Sequence, residues 1–286
     1  MRRSFDRPRL GLLALAAALA GAPAATEGQA PAAADKSALA LARLSLVERK
    51  VELEKAGAKW QAAVEGGPLA IGEAIRTGPE AVARLELPWM ALTLAPGSTL
   101  RFPDAFLLSA TLDAGRALVE APGLDALKLV TAGAEVRGKG RAVVRRQGKA
   151  TLVTCLAGRF FVEAAGSVVA LTPGRGSVVA DGSAPGAAQE VLAPPPGAGM
   201  WPAQDAVFVA PAEPVELRWK GAAPAYQVEL LPVGSDVVLL QRDVQAPPLK
   251  IEVPWEGAFR WRVSARDARG LEGLPSADGL IAVDVR

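Results

Sequence analysis

The stretch Phe259-Arg260-Trp261-Arg262-Val263-Ser264-Ala265-Arg266 decides how this chain is read. Apolar side chains alternate with three arginines and a serine. A period of two scatters both sets around a helix but places one set on each face of an extended strand. The stretch therefore predicts a half-buried β-strand, apolar inward and charged outward. Working outward, Val215-Glu216-Leu217-Arg218-Trp219 and Tyr226-Gln227-Val228-Glu229-Leu230 repeat the alternation, and Asp267-Ala268-Arg269-Gly270 supplies a turn.

The same grammar extends toward the N-terminus. Ala91-Leu92-Thr93-Leu94, Ala95-Pro96-Gly97-Ser98 and Thr99-Leu100-Arg101-Phe102 read as strand, turn, strand. So do Val168 to Thr172, Pro173-Gly174 and Ser177 to Val179, with Asp181-Gly182 closing the unit. The expectation is an all-β chain whose first part is a rolled or stacked array of antiparallel hairpins. One stretch stays open. Leu39, Ala42, Leu46, Arg49 and Leu53 fit a helix face, while Leu44, Leu46, Val51 and Leu53 fit two strands joined around Glu48-Arg49-Lys50.

The length, 286 residues, allows about two domains. The first is expected over 39–182 and the second, a small sandwich, over 207–286. Residues 183–206, with Pro194-Pro195-Pro196-Gly197 at their centre, read as a Pro/Gly-rich linker with few contacts, so each region is expected to fold alone.

The N-terminus reads as a processing signal. Arg2, Arg3, Arg7 and Arg9 precede an apolar run over Leu10–Ala22, and Ala22-Pro23-Ala24 supplies small residues for cleavage. The run is too short to cross a bilayer comfortably. Residues 1–24 are thus expected to be a cleaved signal peptide, by the Sec or the twin-arginine route, and 25–38 a flexible leader. Export places the chain in the periplasm or outside the cell. Lipid anchoring needs a cysteine after the apolar run, and the one cysteine is Cys155. Removing four Arg and one Asp takes 32 basic against 30 acidic residues to 28 against 29. Net charge therefore gives no ground for bulk nucleic-acid binding.

Composition narrows the chemistry. The chain has no histidine, which removes His-based triads, His–metal sites and His proton shuttles. One cysteine gives neither an intramolecular disulfide nor a multi-thiolate metal site. No cofactor motif, metal site or catalytic constellation is expected. Gly133-Ala134-Glu135-Val136-Arg137-Gly138-Lys139 matches the start of a P-loop, but Gly140 stands where Ser or Thr should hold Mg²⁺, and Arg141-Ala142-Val143-Val144 reads as strand rather than helix. Cys155 lies in a buried-looking strand, the setting of an inert small hydrophobe.

Two resemblances follow from these residues. Gly67-Pro68-Leu69-Ala70-Ile71-Gly72-Glu73-Ala74-Ile75-Arg76-Thr77-Gly78, with Trp60 upstream and Leu85-Glu86-Leu87 and Leu92-Thr93-Leu94 downstream, resembles the signature of FecR-type domains over roughly residues 44–182. Glu73 stands for the usual Asp, and Leu87-Pro88-Trp89-Met90 stands where an Asp-Gly hairpin is common. The resemblance implies an extracytoplasmic, non-enzymatic β domain. The founding members relay an iron-siderophore signal to a sigma factor, a role that needs a transmembrane helix and a cytoplasmic segment, and that role is not carried over. The second region resembles a fibronectin type III or related Ig-like sandwich, with Trp219 as its core tryptophan.

Two binding surfaces are expected. Arg137, Lys139, Arg141, Arg145, Arg146 and Lys149 place six cations within 13 residues, either a solvated hairpin or a patch for anionic lipid or acidic glycan. Trp201 and Trp255 are candidates for sugar stacking, because Trp219 and Trp261 fall at inward positions. The expected function is non-catalytic binding or scaffolding in the bacterial cell envelope, with an envelope protein, glycan or anionic lipid as partner and no nucleic acid. The alternatives are a carboxylate-dependent envelope hydrolase or lyase, and a signalling adaptor for a membrane partner.

Overall fold

The computed structural model describes residues 40–55, 58–88, 90–103, 109–123, 128–203, 207–209 and 214–283. The expected signal peptide and leader lie outside them. The described residues form β-strands, turns and one short 3-10 turn at Gly197–Gly199, with no α-helix among them. The ambiguous stretch is two strands, Ala40–Glu48 and Val51–Glu54, because Arg49 adopts a φ of 63° and turns the chain. These strands do not pair with each other. The first pairs with Pro68–Ala70 and Val82–Leu87, the second with Gln61–Ala62 and Ala74–Thr77.

Ser109–Ala121, Glu135–Gln147 and Ala150–Ala164 are the spine of a 15-stranded sheet. The two strand–turn–strand units are not the hairpins expected from their sequences. Met90–Leu94 and Thr99–Arg101 lie end to end along Ser109–Ala121, with Leu94 opposite Ala117 and Thr99 opposite Ala114. Ser167–Leu171 and Arg175–Ala180 lie end to end along Ala150–Ala164, with Leu171 opposite Phe160 and Arg175 opposite Cys155. Each turn is a step in one interrupted strand, opposite a positive-φ glycine of the long partner, Gly115 or Gly158.

The glycines of the P-loop-like stretch have a packing role. Gly140 faces Gly158 across the long hairpin, at φ of 114° and 81°. A Cβ on Gly140 would overlap the Ala157 carbonyl oxygen, and one on Gly158 the Lys139 carbonyl oxygen. Glycine lets the two backbones meet there. The chain then continues as strand through Gln147.

The stretch 67–78 is held by its own polar residues. The Glu73 carboxylate accepts the Ala70 N–H at 2.8 Å. Arg76 binds Glu52 at 2.7 Å and lies 4.3 Å above the Trp60 ring. The Thr77 hydroxyl donates to the Ala95 carbonyl at 2.6 Å and accepts the Ser98 N–H at 2.9 Å, pinning the 95–98 step. Behind these contacts Ile75, Leu85, Leu92, Leu112, Val153 and Phe160 belong to the first core. Cys155 is buried in it, and burial pushes its thiol pKa up.

The second core lies between two smaller sheets. Gly257–Arg266 pairs with Ala225–Pro232, Gly279–Val283 and Glu272–Pro275. Leu240–Val244 pairs with Ala225–Pro232, and Val207–Val209 runs parallel to Gly279–Val283. The pair Val215–Leu217 and Leu249–Ile251 supplies Val215, Leu217 and Ile251 to the core. Trp219 stands edge-on to Tyr226 at 5.4 Å and 6.4 Å from Trp261. The Trp261 ring N–H donates to the Pro202 carbonyl at 2.9 Å.

The segment expected to carry few contacts is stitched to both sheets. Gln189–Glu190 pairs with Arg175–Gly176, and Trp201 exchanges two backbone hydrogen bonds with Arg218. Prolines lack donors, but their carbonyls and neighbours still seek partners. The described residues all fall in one compact unit.

Candidate functional site

The strand that alternates from Phe259 to Arg266 behaves as expected on one face and differently on the other. Phe259, Trp261, Val263 and Ala265 belong to the second core. Arg262, Ser264 and Arg266, expected to face water, are also buried. On the neighbouring strands Gln227, Glu229 and Gln241 share that polar face and are buried too. The face is covered by the outer side of the first sheet, where Arg116, Arg145 and Thr154 point outward. The Thr154 hydroxyl donates to the Glu272 carbonyl at 2.8 Å.

Charge holds this seam together. Arg116 makes a two-point contact with Glu272, Nε to Oε2 at 2.8 Å and Nη2 to Oε1 at 2.7 Å, and reaches Glu229 at 3.1 Å. Arg262 binds Glu229 from the other side at 2.7 Å. Arg145 reaches Asp243 at 3.1 Å and Glu272 at 3.7 Å, and Arg266 binds the same Asp243 oxygen at 2.9 Å. Burial opposes the charge on Arg116, yet Glu272 and Glu229 more than offset it and its pKa is raised. Burial pushes the Glu229 and Asp243 carboxyls up, but their arginine partners win and both stay below the usual carboxylate range. Burial and the nearby Arg145 lower the pKa of Arg266.

Four guanidiniums, those of Arg116, Arg145, Arg262 and Arg266, face three carboxylates, those of Glu229, Asp243 and Glu272. A cleft of about 300 Å³ opens beside them, lined on its polar side by Arg116, Arg145, Gln227, Gln241, Arg242 and Asp243. Pro79, Ala95 and Pro96 form its apolar side. Arg116 Nη1, Arg145 Nε and both amide atoms of Gln241 are buried without a hydrogen-bond partner. A larger apolar groove of about 440 Å³ runs beside Pro194, Pro195, Pro196 and Tyr226, with Asp267 as its one charged lining residue.

The six cations expected as one exposed patch are divided. Arg145 belongs to the seam, with its side chain 12% exposed. Arg146 makes a two-point pair with Asp181 at 2.7 and 2.6 Å and holds that carboxyl below its usual range. Arg141 lies 3.5 Å from Glu120 and is partly buried. Arg137, 3.6 Å from Glu163, is exposed, as are Lys139 and Lys149. Strand alternation and carboxylates distant in sequence separate what proximity in sequence groups together. Trp201 is 47% exposed, with Arg218 5.8 Å from its ring. Trp255 instead packs against the second core, 6.3 Å from Phe259.

Sequence reasoning missed Arg116, Glu229, Gln241 and Glu272. The signal that could have found them is the acid–base complementarity of adjacent strands, with Gln227 and Glu229 in register with Ser264 and Arg262. Among the described residues no helix is long and apolar enough to cross a membrane, and no group of three or more His, Cys, Asp or Glu side chains is placed to hold a metal ion.

No family model matches the chain, and no curated protein matches it. Two crystal structures of a "putative anti-sigma factor" from Parabacteroides distasonis, at 1.65 and 2.50 Å, are similar to part of it. Each is 18% identical with a TM-score of 0.35, and the match covers 41% of this chain. The chain spans 59% of the length of that protein.

Proposed function

We propose that this chain is an exported, non-catalytic binding or scaffolding protein of the bacterial cell envelope. In this reading a FecR-like β domain and a fibronectin type III-like sandwich act as one rigid frame around the seam. Export rests on the basic and apolar pattern of residues 1–24. The FecR-like reading rests on the stretch 67–78 with Trp60.

The observation that supports a non-catalytic role is the pairing of the seam carboxylates, since Glu229, Asp243 and Glu272 each lie within 3.1 Å of an arginine. A carboxylate-dependent hydrolase needs one carboxyl kept protonated near neutral pH as a general acid. At the seam the opposite holds: Glu229 and Asp243 are driven toward the ionised form by arginines. Such groups fix geometry and hold charge. Burial and Glu65 push the Glu48 carboxyl up, and Glu48 does not line the cleft.

The test is to express the full chain in a Gram-negative host, fractionate the cells and weigh the protein. The reading predicts a periplasmic product beginning near Ala25 that leaves envelope glycans, peptides and lipids chemically unchanged. A cytosolic product retaining residues 1–24, or turnover of any of these substrates, would contradict it.

A further inference from the structure

The strand Ser167–Leu171 is an open edge. It pairs with Ala150–Ala164 on one side and, among the described residues, with no strand on the other. Its five residues, Ser-Val-Val-Ala-Leu, contain neither charge nor proline. Proteins normally blunt such edges, because an open row of N–H and C=O groups recruits another strand. Other edges of this chain are blunted. Gln61–Ala62 and Gln189–Glu190 are two residues long, Pro68–Ala70 opens on a proline, and Leu240–Val244 carries Arg242 and Asp243. On the open edge Ser167, Val168 and Ala170 are exposed, Val168 to 51%.

The hairpin fixes which backbone groups face outward. Ala165 and Gly166, at φ of 46° and 72°, form a two-residue turn, so Ala164 and Ser167 are a hydrogen-bonded pair. Antiparallel pairs alternate, which makes Val162–Val169 bonded and leaves Glu163–Val168 and Phe161–Ala170 unbonded. The same phase follows from the next hairpin of the sheet. There the Thr131 N–H donates to the Ala134 carbonyl, so Glu135 turns its backbone groups toward Glu163, and Val168 faces outward. The N–H and C=O groups of Val168 and Ala170 therefore point away from the sheet into solvent. Their side chains share one face, with Glu163 behind Val168 and Phe161 behind Ala170.

These features match a second copy of the same edge. A strand run antiparallel about Val169 sets Val168 opposite the partner's Ala170, and Ala170 opposite the partner's Val168. Every outward N–H then meets an outward C=O. A larger valine lies beside a smaller alanine at both positions, and the two Val169 side chains meet on the opposite face. Charge agrees with this arrangement. The strand behind the edge carries Glu163 toward one end and Arg159, exposed and opposite Lys139, toward the other. Reversing one copy thus sets unlike charges at each end of the contact. We propose that this chain forms a two-fold dimer by pairing Ser167–Leu171 edge to edge, which joins the two copies' sheets. The pairing consumes the edge of both copies, so assembly stops at two. So short a contact belongs to the weak, transient class of interface. The inference is independent of the reading of this chain as an envelope protein.

The test is sedimentation equilibrium of the full mature chain from about 1 μM to about 1 mM, a range that spans weak association. A monomer–dimer equilibrium is expected, with no larger species. Ala170→Pro removes an outward N–H but no hydrogen bond of the fold, and Val168→Lys places a charge on the edge. Each should weaken dimerisation by about tenfold or more and leave the far-ultraviolet circular dichroism unchanged. If Ala170→Pro fails to fold, Val168→Lys decides. Cysteine variants read the register. Val169→Cys should form an interchain disulfide on mild oxidation, because position 169 faces itself across the two-fold. Ser167→Cys should not, because it faces the partner's Leu171. A monomer at every concentration overturns the proposal and leaves the edge to a foreign strand. A dimer untouched by both substitutions, growth beyond the dimer, or cross-linking at 167 as readily as at 169 overturns it as well.

Discussion

Arg116 and Glu272 are 156 residues apart in sequence and joined by two hydrogen bonds of 2.8 and 2.7 Å, with side chains 3% and 4% exposed. One belongs to the long strand of the first sheet, the other to the edge of the second. From Trp261 to Arg266 the strand is buried on both faces, one against an apolar core and one against the charge of the seam. Buried charge gives little net stability, but it tolerates loss of one partner poorly. The seam is therefore better at defining how the sheets meet than at strengthening either.

Truncating one partner should show this. Glu272→Ala leaves Arg116 buried and under-compensated, and should destabilise the protein by about 3–5 kcal/mol. Replacing both by Met should cost distinctly less than the sum of the single changes. Urea denaturation of the four proteins in a double-mutant cycle measures the coupling; additive effects would mean that the pair is not coupled.

Acid should loosen the seam. The Glu229 and Asp243 carboxyls have pKa values below their ordinary 4.5 and 3.8, so the folded protein binds fewer protons there than the unfolded chain. Their contribution is fully present above the unfolded values and is lost as pH falls through the lower, folded ones. Urea midpoints should hold level on this account from neutral pH to about pH 5 and fall below it. A midpoint that stays level to pH 3 would show that these carboxylates are not held ionised by their arginines.

The cation-rich hairpin should divide by position. Lys139→Ser and Lys149→Ser should change stability by no more than about 0.5 kcal/mol, as exposed sites do. Arg145→Ser should cost about 2 kcal/mol or more, since it withdraws a partner from Asp243 and Gln227. Thermal melts of the three variants check this, and equal effects would mean that Arg145 is as solvated as the lysines.

Gly140 and Gly158 should be intolerant of any side chain. Alanine at either must adopt a positive φ and displace the facing backbone, at a cost of order 2 kcal/mol. Gly148, at φ 57° with nothing within 4 Å of its would-be Cβ, should accept Asn almost freely. Chemical denaturation of G140A, G158A and G148N gives the comparison.

Much of the fold can be read locally. Alternation at 226–230 and 259–266 identifies strands and their apolar faces, and Trp219 and Trp261 mark the second core. Alternation says which face is apolar, however, and not whether the polar face is covered. That depends on partners such as Arg116 and Thr154, more than 100 residues away, which leave no trace in local periodicity. The 95–98 and 172–174 turns mislead for a related reason. A Pro-Gly step looks the same whether the chain doubles back or continues along the same long partner. The cleft is less legible still, because Gln241 sits in an ordinary strand and its unbonded amide exists only once the seam has closed.

The central claim is that the two sheets form one body through this seam, and hydrogen exchange read by mass spectrometry tests it most directly. Peptides from Ala150–Ala164 report on the first sheet and peptides from Gly257–Arg266 on the second. The account predicts that the slowest amides of both exchange with the same opening free energy, and that Glu272→Ala lowers both together. Two distinct opening free energies, with Glu272→Ala changing only one or neither, would contradict it.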